Sequence, residues 1–138
     1  MASKWPTFVP NGRDLETAFD NAVGYFNNQQ AANLQNALNP NVVLKKVGHP
    51  SPNDLELGAV NVMQYIQQEW ATDNPKFHPH GASKHIDPVM GSVHGIAEWD
   101  ETPPGKPPIR DQIRYFFIFD QTAAGVWQII FLWGSQAL

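Results

Sequence analysis

The strongest strand signal in the chain lies at residues 113–119, whose sequence is Ile113-Arg-Tyr-Phe-Phe-Ile-Phe119. Short runs rich in aromatic and β-branched residues favour β-strands. The nearly continuous apolarity predicts burial on both faces, for example under helices on one side and a partner subunit on the other. Further strands are predicted on either side, at residues 76–87, 92–101 and 126–133, with a proline-rich loop at 102–108.

Helical patterns precede this run of strands. Asp14 can cap a helix whose apolar residues recur at helical spacing over residues 15–26. A second apolar stripe, over residues 59–70, predicts a helix that ends at Asn74-Pro75. A short helix at 31–38 and a strand at 42–47 are predicted between them. Helices that precede a group of strands favour an α+β fold, in which one curved sheet wraps the long helices.

The composition limits the class of protein. The 138 residues, of which 42% are hydrophobic, predict one domain over residues 14–138 after an extended segment at 1–13. A net charge of −4 without a basic cluster argues against nucleic-acid binding. The absence of cysteine excludes disulfides and thiolate chemistry. No apolar run approaches the length of a membrane span, and no signal peptide is recognisable, so we expect a cytoplasmic protein that does not bind membranes.

Five short motifs occur in a consistent order along the chain. They are Gly24-Tyr25-Phe26, Leu34 with Asn39-Pro-Asn-Val-Val43, Gly58 with Val62 and Tyr65, His80-Gly-Ala-Ser-Lys84, and Gly125-Val-Trp-Gln-Ile129. Together they resemble the NTF2-like, or SnoaL-like, superfamily. The resemblance implies a cystatin-like cone in which about three N-terminal helices pack in a curved mixed or antiparallel sheet. It also implies an apolar pocket inside the cone and a homodimer across the sheet.

The same resemblance implies three catalytic candidates. His80 matches the pocket histidine that serves as acid or base in SnoaL-like and scytalone-dehydratase-like members. Tyr25 lies where ketosteroid-isomerase-like members have a tyrosine that donates a hydrogen bond to a developing oxyanion. Dehydratase-like members have a second pocket histidine on the following strand. The matching position in this chain is Ala97, and the nearest histidine is His94. The alternative is that the tyrosine belongs to the core and the histidines are ordinary strand residues.

Further residues are candidates for substrate binding. The isomerase-like members need a carboxylate base near the first strand, where this chain has Lys46 or His49 instead. Arg114 could hold an anionic group of a ligand, or it could pair with Glu98 or Asp100 across the strands. Several aromatic residues could line the cavity, or belong to the core and the dimer surface. They include Trp99, Phe116 and Trp133.

No cofactor is expected. The five histidines lack the spacing of a metal site, and no glycine-rich phosphate loop is present. Two hypotheses for the function remain open. In the first, the protein is a cofactor-independent isomerase, dehydratase or cyclase that acts on a small hydrophobic carbonyl compound by acid–base proton transfer. In the second, it is a non-catalytic module that binds a small apolar ligand or forms a dimeric interaction surface.

Overall fold

The computed structural model of the protein describes residues 4–5, 13–46, 53–86 and 90–136. Three helices precede most of the strands within this part of the chain. They are α1 (Arg13–Asn27), α2 (Ala31–Ala37) and α3 (Ala59–Thr72). The helices predicted from the apolar stripes of residues 15–26 and 59–70 are therefore confirmed, because each stripe supplies one continuous buried face.

Six strands form one mixed sheet. They are β1 (Leu38–Lys45), β2 (Leu55–Leu57), β3 (Lys76–Ile86), β4 (Met90–Glu101), β5 (Ile109–Gln121) and β6 (Trp127–Gln136). The strand order is β2-β1-β6-β5-β4-β3. Strands β1 and β6 are parallel, whereas the other neighbouring pairs are antiparallel. The predicted α+β class is confirmed.

Two differences from the sequence-based expectation lie around β1. The strand begins at Leu38 rather than at residue 42, because pairing with Ile129 of β6 starts there. The three-residue strand β2 was not predicted, since a run this short has no measurable periodicity. The predicted N-terminal extended segment lies largely outside the described residues.

The helices cover the inner face of the sheet, and the core lies between them. On β4 and β5 the odd-numbered residues point inward, as Ala97 and Tyr115 do. Phe19 of α1 is fully buried, and its ring stacks on that of Tyr115 with the two ring centres 5.6 Å apart. This contact joins the first helix to the strongest strand of the sheet.

The outer face of β5 is less buried than its apolar sequence predicts. Arg114 is exposed and Phe116 is half-buried, while Ile113 and Phe119 on the inner face are buried. The apolar run therefore follows the ordinary alternation of a strand within this single chain. None of the described helices has the length and apolar character needed to cross a membrane.

Candidate functional site

A cavity of about 760 Å³ lies between the helices and the inner face of the sheet. Its walls are mostly apolar and come from α1, α2, α3 and the long strands. They include Ala22, Val23, Phe26, Leu34, Leu38, Leu44, Ile66, Phe77, Ile113, Tyr115, Phe117, Ile129 and Leu132. Polar side chains border the cavity as well. A mostly apolar cavity with a few convergent polar groups is typical of a small-molecule site.

Helix α3 contributes a row of polar side chains to this cavity. Tyr65, Glu69 and Asp73 follow one another at intervals of four residues, which places them on one side of the helix. Asp73 is the residue that caps the C-terminal end of α3. The Tyr65 hydroxyl donates a hydrogen bond to the Glu69 carboxylate. Burial raises the pKa of Glu69, and the neighbouring carboxylates of Asp73 and Glu101 raise it further. A carboxylate in these surroundings is a stronger base than an ordinary glutamate.

Tyr65 is a hydrogen-bond donor across the whole physiological pH range. Burial raises the pKa of its phenol, and the charge of Glu69 raises it further. Its hydroxyl therefore stays protonated while Glu69 titrates.

A cation from the end of β1 faces this row. The Lys46 ammonium lies 3.1 Å from Glu56 Oε1 and 5.1 Å from the centre of the Tyr65 ring. Its side chain is 9% exposed. Glu56 pairs in register with Leu44, an inward residue, which places the carboxylate on the inner side of the sheet. Lys46 is therefore a largely buried cation that packs on the Tyr65 ring.

Strands β4 and β5 complete the polar end of the cavity. Trp99 and Asp111 are partners in the register of the two strands and both border the cavity. The Trp99 indole Nε1 donates to Glu101 Oε1 at 2.7 Å. The Trp99 ring also packs on Phe26, with ring centres 5.6 Å apart. An aromatic surface and two carboxylates therefore lie opposite α3.

Tyr115 places a polar atom within the apolar core beside the cavity. The residue is 2% exposed, and its hydroxyl has no hydrogen-bond partner among the residues that the structure describes. Burial raises the pKa of this phenol, so it stays neutral. The hydroxyl lies where Gly95 of β4 has no side chain, since a Cβ built at Gly95 would be 3.0 Å from it.

Three of the residues predicted for substrate binding border the cavity: Lys46, Trp99 and Trp133. Tyr25 is half-buried and packs against the core, but it is not among the described residues that border the cavity. His49 lies outside the described residues.

The other predicted residues lie on the outer face of the sheet. His80 is 56% exposed, with its Nε2 atom 3.5 Å from Glu98 Oε1. His94, Arg114 and Phe116 border a shallow outer groove of about 400 Å³, together with the outer side of Trp133. The structure therefore does not bring the predicted histidines together with Tyr25 or Lys46.

The alternative partner predicted for Arg114 is also corrected. Arg114 pairs in register with Ile96, whereas Glu98 is opposite Gln112. Arg110 instead makes the ion pairs, with Nε 2.7 Å from Asp100 Oδ1 and Nη1 3.5 Å from Glu98 Oε2. In the part of the chain that the structure describes, no three His, Asp or Glu side chains are arranged to hold a metal ion.

The acidic part of the site was not predicted from the sequence. Glu69, Asp73, Glu101 and Asp111 all border the cavity. A signal was present, because Asp111 has the same parity as the inward residues of β5. Likewise, Tyr65, Glu69 and Asp73 form a polar row beside the apolar stripe of α3.

Comparisons with known proteins show resemblance at the level of structure. No protein-family model and no curated protein matches the chain. A ketosteroid isomerase-like protein from Erwinia carotovora atroseptica superposes with a TM-score of 0.77 at 16% identity, covering 95% of this chain and 99% of that one. A Xanthomonas campestris protein, named for the association domain of calcium/calmodulin-dependent protein kinase II, has a TM-score of 0.78 at 17% identity, covering 99% and 97%.

A third solved structure gives a similar result. A Novosphingobium aromaticivorans protein named for scytalone dehydratase has a TM-score of 0.78 at 10% identity, covering 91% of this chain and 83% of that one. Identities this low establish the fold and leave the chemistry open. The predicted resemblance is confirmed at this level: the chain has the NTF2-like, cystatin-like fold.

Proposed function

We propose that the protein is a cofactor-independent enzyme that moves a proton on a small, mostly apolar carbonyl compound bound in the cavity. The observation that supports this most directly is the hydrogen-bonded pair of Tyr65 and Glu69 at the polar end of an apolar cavity. Solved structures of the same fold include proteins named for ketosteroid isomerase and scytalone dehydratase, which makes this class of reaction a reasonable expectation.

In the proposed reaction, Glu69 acts as the base and then as the acid. Its carboxylate takes a proton from the carbon beside the carbonyl group, and the electron pair of that C–H bond moves into an enolate. Glu69 then returns the proton to a different carbon in an isomerisation. In a dehydration it delivers the proton to a hydroxyl group, which leaves as water from the carbon next to the enolate. Its raised pKa suits both steps, since the carboxylate is a stronger base than that of an ordinary glutamate and its protonated form persists to higher pH.

Lys46 and Tyr65 have supporting roles in this proposal. The Lys46 ammonium faces the Tyr65 ring, and both border the cavity with Glu69. A fixed cation stabilises the negative charge that develops on the enolate oxygen, more so where water is partly excluded. Tyr65 holds the Glu69 carboxylate through its hydrogen bond and so sets the direction from which the proton is taken.

The proposal is tested by proton exchange, which does not require the natural substrate. The protein is incubated in D₂O with apolar ketones such as 1-decalone and 2-decalone. Loss of the hydrogens beside the carbonyl is then followed by NMR. The wild-type protein is expected to accelerate exchange of at least one of the ketones. The Glu69→Gln substitution is expected to lower that acceleration roughly a hundredfold or more. Glu98→Gln is the matched control, because Glu98 lies on the outer face of β4 beside His80.

Two results would contradict the proposal. One is a Glu69→Gln variant that is folded and exchanges as fast as wild type. The other is the absence of acceleration for every ketone of the panel, which would favour a non-catalytic role.

A second proposal concerns association through the outer face of the sheet. We infer a homodimer there because Ile96, in the middle of β4, is 42% exposed and lines the outer groove together with His94, Phe116 and Trp133. Sedimentation velocity at micromolar concentration is expected to find a dimer that Ile96→Glu converts to a monomer. Val60→Glu is the control, since Val60 is 61% exposed on α3. A monomeric wild type would contradict the proposal.

A further inference from the structure

The polar end of the cavity has an excess of negative charge. Glu69, Asp73, Glu101 and Asp111 all border it, and each is half-buried. None of the four makes an ion pair with a cationic side chain of the described residues. They come from α3, β4 and β5, so they converge on the cavity from both of its sides.

The lysines at the rim do not balance these four carboxylates. Lys45 Nζ pairs with Asp54 at 2.5 Å, and Lys46 Nζ pairs with Glu56 at 3.1 Å. Each lysine therefore has its own carboxylate, and neither Asp54 nor Glu56 borders the cavity. A ligand that enters the cavity therefore meets up to four carboxylates. None of the four forms an ion pair with a lysine or arginine of the described residues.

This charge distribution discriminates between classes of ligand. An anionic ligand is repelled, and a neutral one takes water away from half-buried carboxylates without replacing it. A protonated amine gains attraction to the carboxylates and donates hydrogen bonds to them. The aromatic faces of Tyr65 and Trp99 border the same end of the cavity and favour a cation further.

We propose that the ligand of this cavity is an organic cation, with an apolar body in the hydrophobic part and a protonated amine among Glu69, Asp73, Glu101 and Asp111. The inference names the substrate class of the site proposed above and rests on that assignment of the cavity. Since the cavity holds about 760 Å³, a body the size of a few fused rings or an arylalkyl chain fits within it.

The test compares three probes that share one body. Binding of 4-phenylbutylamine, 4-phenylbutanol and 4-phenylbutyrate to the wild-type protein is measured by isothermal titration calorimetry at pH 7.5 and low salt. The amine is expected to bind about tenfold tighter than the alcohol, and the carboxylate about tenfold weaker. The advantage of the amine falls as sodium chloride is added, because salt screens half-exposed charges.

Two matched variants locate the effect. Asp111→Asn removes one carboxylate from the cavity and is expected to weaken amine binding about fivefold while leaving the alcohol unchanged. Asp120→Asn is the control, since Asp120 lies on the same strand but on the outer face and does not border the cavity. It is expected to leave the affinities of all three probes unchanged.

The possible failures are distinguishable from those of the proposed function. Equal affinity for the amine and the alcohol, or the same loss in both variants, would overturn the inference while proton exchange by Glu69 could still hold. Failure of all three probes to bind would also overturn it. Conversely, a tightly bound amine together with an inactive wild type in the exchange assay would support the ligand class and overturn the catalytic proposal.

Discussion

The Lys46 ammonium lies 5.1 Å from the centre of the Tyr65 ring, so a cation from the end of β1 packs on an aromatic ring of α3 at the wall of the cavity. The contact connects residues that are 19 positions apart in the chain, with β2 between them. Both residues border the cavity together with Glu69, whose carboxylate accepts a hydrogen bond from the Tyr65 hydroxyl.

This relationship predicts a specific effect of Lys46→Met, which keeps the length of the side chain and removes its charge. Proton exchange of a ketone in D₂O is expected to slow by about tenfold or more, because the enolate oxygen loses its stabilising cation. Lys45→Met is the matched control, since Lys45 also borders the cavity and pairs with a carboxylate, whereas the contact with the Tyr65 ring is made by Lys46. Equal losses in the two variants would mean that the general charge of the rim matters and the position of Lys46 does not.

The raised pKa of Glu69 predicts how stability depends on pH. The folded protein binds this proton more tightly than the unfolded chain does, for which the ordinary pKa is 4.5. This tighter proton binding stabilises the folded state. The stabilisation is complete below pH 4.5 and is lost as the pH rises through the higher pKa that Glu69 has in the folded protein. Urea unfolding across this range should show wild type losing stability relative to Glu69→Gln as the pH rises. A constant difference between the two proteins would contradict the pKa shift.

Tyr115→Phe is expected to stabilise the protein. The Tyr115 hydroxyl is buried without a hydrogen-bond partner among the described residues, and its removal relieves about 1 kcal/mol of desolvation. Chemical denaturation measures the change in the free energy of unfolding. Tyr65→Phe is the control with the opposite sign, because that hydroxyl donates to Glu69. A loss of stability in Tyr115→Phe would mean that its hydroxyl has a partner, such as a buried water molecule.

Gly95→Ala is expected to destabilise the fold by about 1–3 kcal/mol through overpacking. The added Cβ would lie 3.0 Å from the Tyr115 hydroxyl oxygen and 3.2 Å and 3.3 Å from the carbonyl oxygens of Gly81 and His80. Backbone atoms on a paired strand cannot move away easily, so the tyrosine ring must shift. The measurement is again chemical denaturation.

Gly24→Ala is the control for this substitution. Apart from its chain neighbours and the adjacent backbone of α1, a Cβ at Gly24 meets no atom of the described residues within 4 Å. Since alanine favours a helix over glycine by about 1 kcal/mol, this variant should be more stable than wild type. If both variants changed stability in the same direction, the space around Gly95 would not be the cause.

Much of the architecture could be predicted from local patterns. The stripes of α1 and α3 repeat with the period of a helix, and the run at residues 113–119 has the composition of a strand. Such patterns depend only on residues that are close together along the chain, so they can be recognised from the sequence alone. The order of helices before strands then restricted the fold to the α+β class, and the short motifs indicated the NTF2-like cone.

Which face each strand residue occupies was decided by the tertiary structure. A shift of one residue moves a side chain to the opposite face, and β3 changes its register between His80 and Ser83, near Gly81 with its positive φ of 47°. Thus His80 and His94 lie outside, whereas Trp99 and Asp111 line the cavity.

The sequence by itself determined the helices, the long strands and the apolar character of the interior, because periodicity and composition are local properties. Only the tertiary structure decided that Lys46, Tyr65, Glu69 and Asp111 share one cavity. These residues are up to 65 positions apart. Their proximity follows from strand register and from the packing of α3 over the sheet, which are properties of the whole chain.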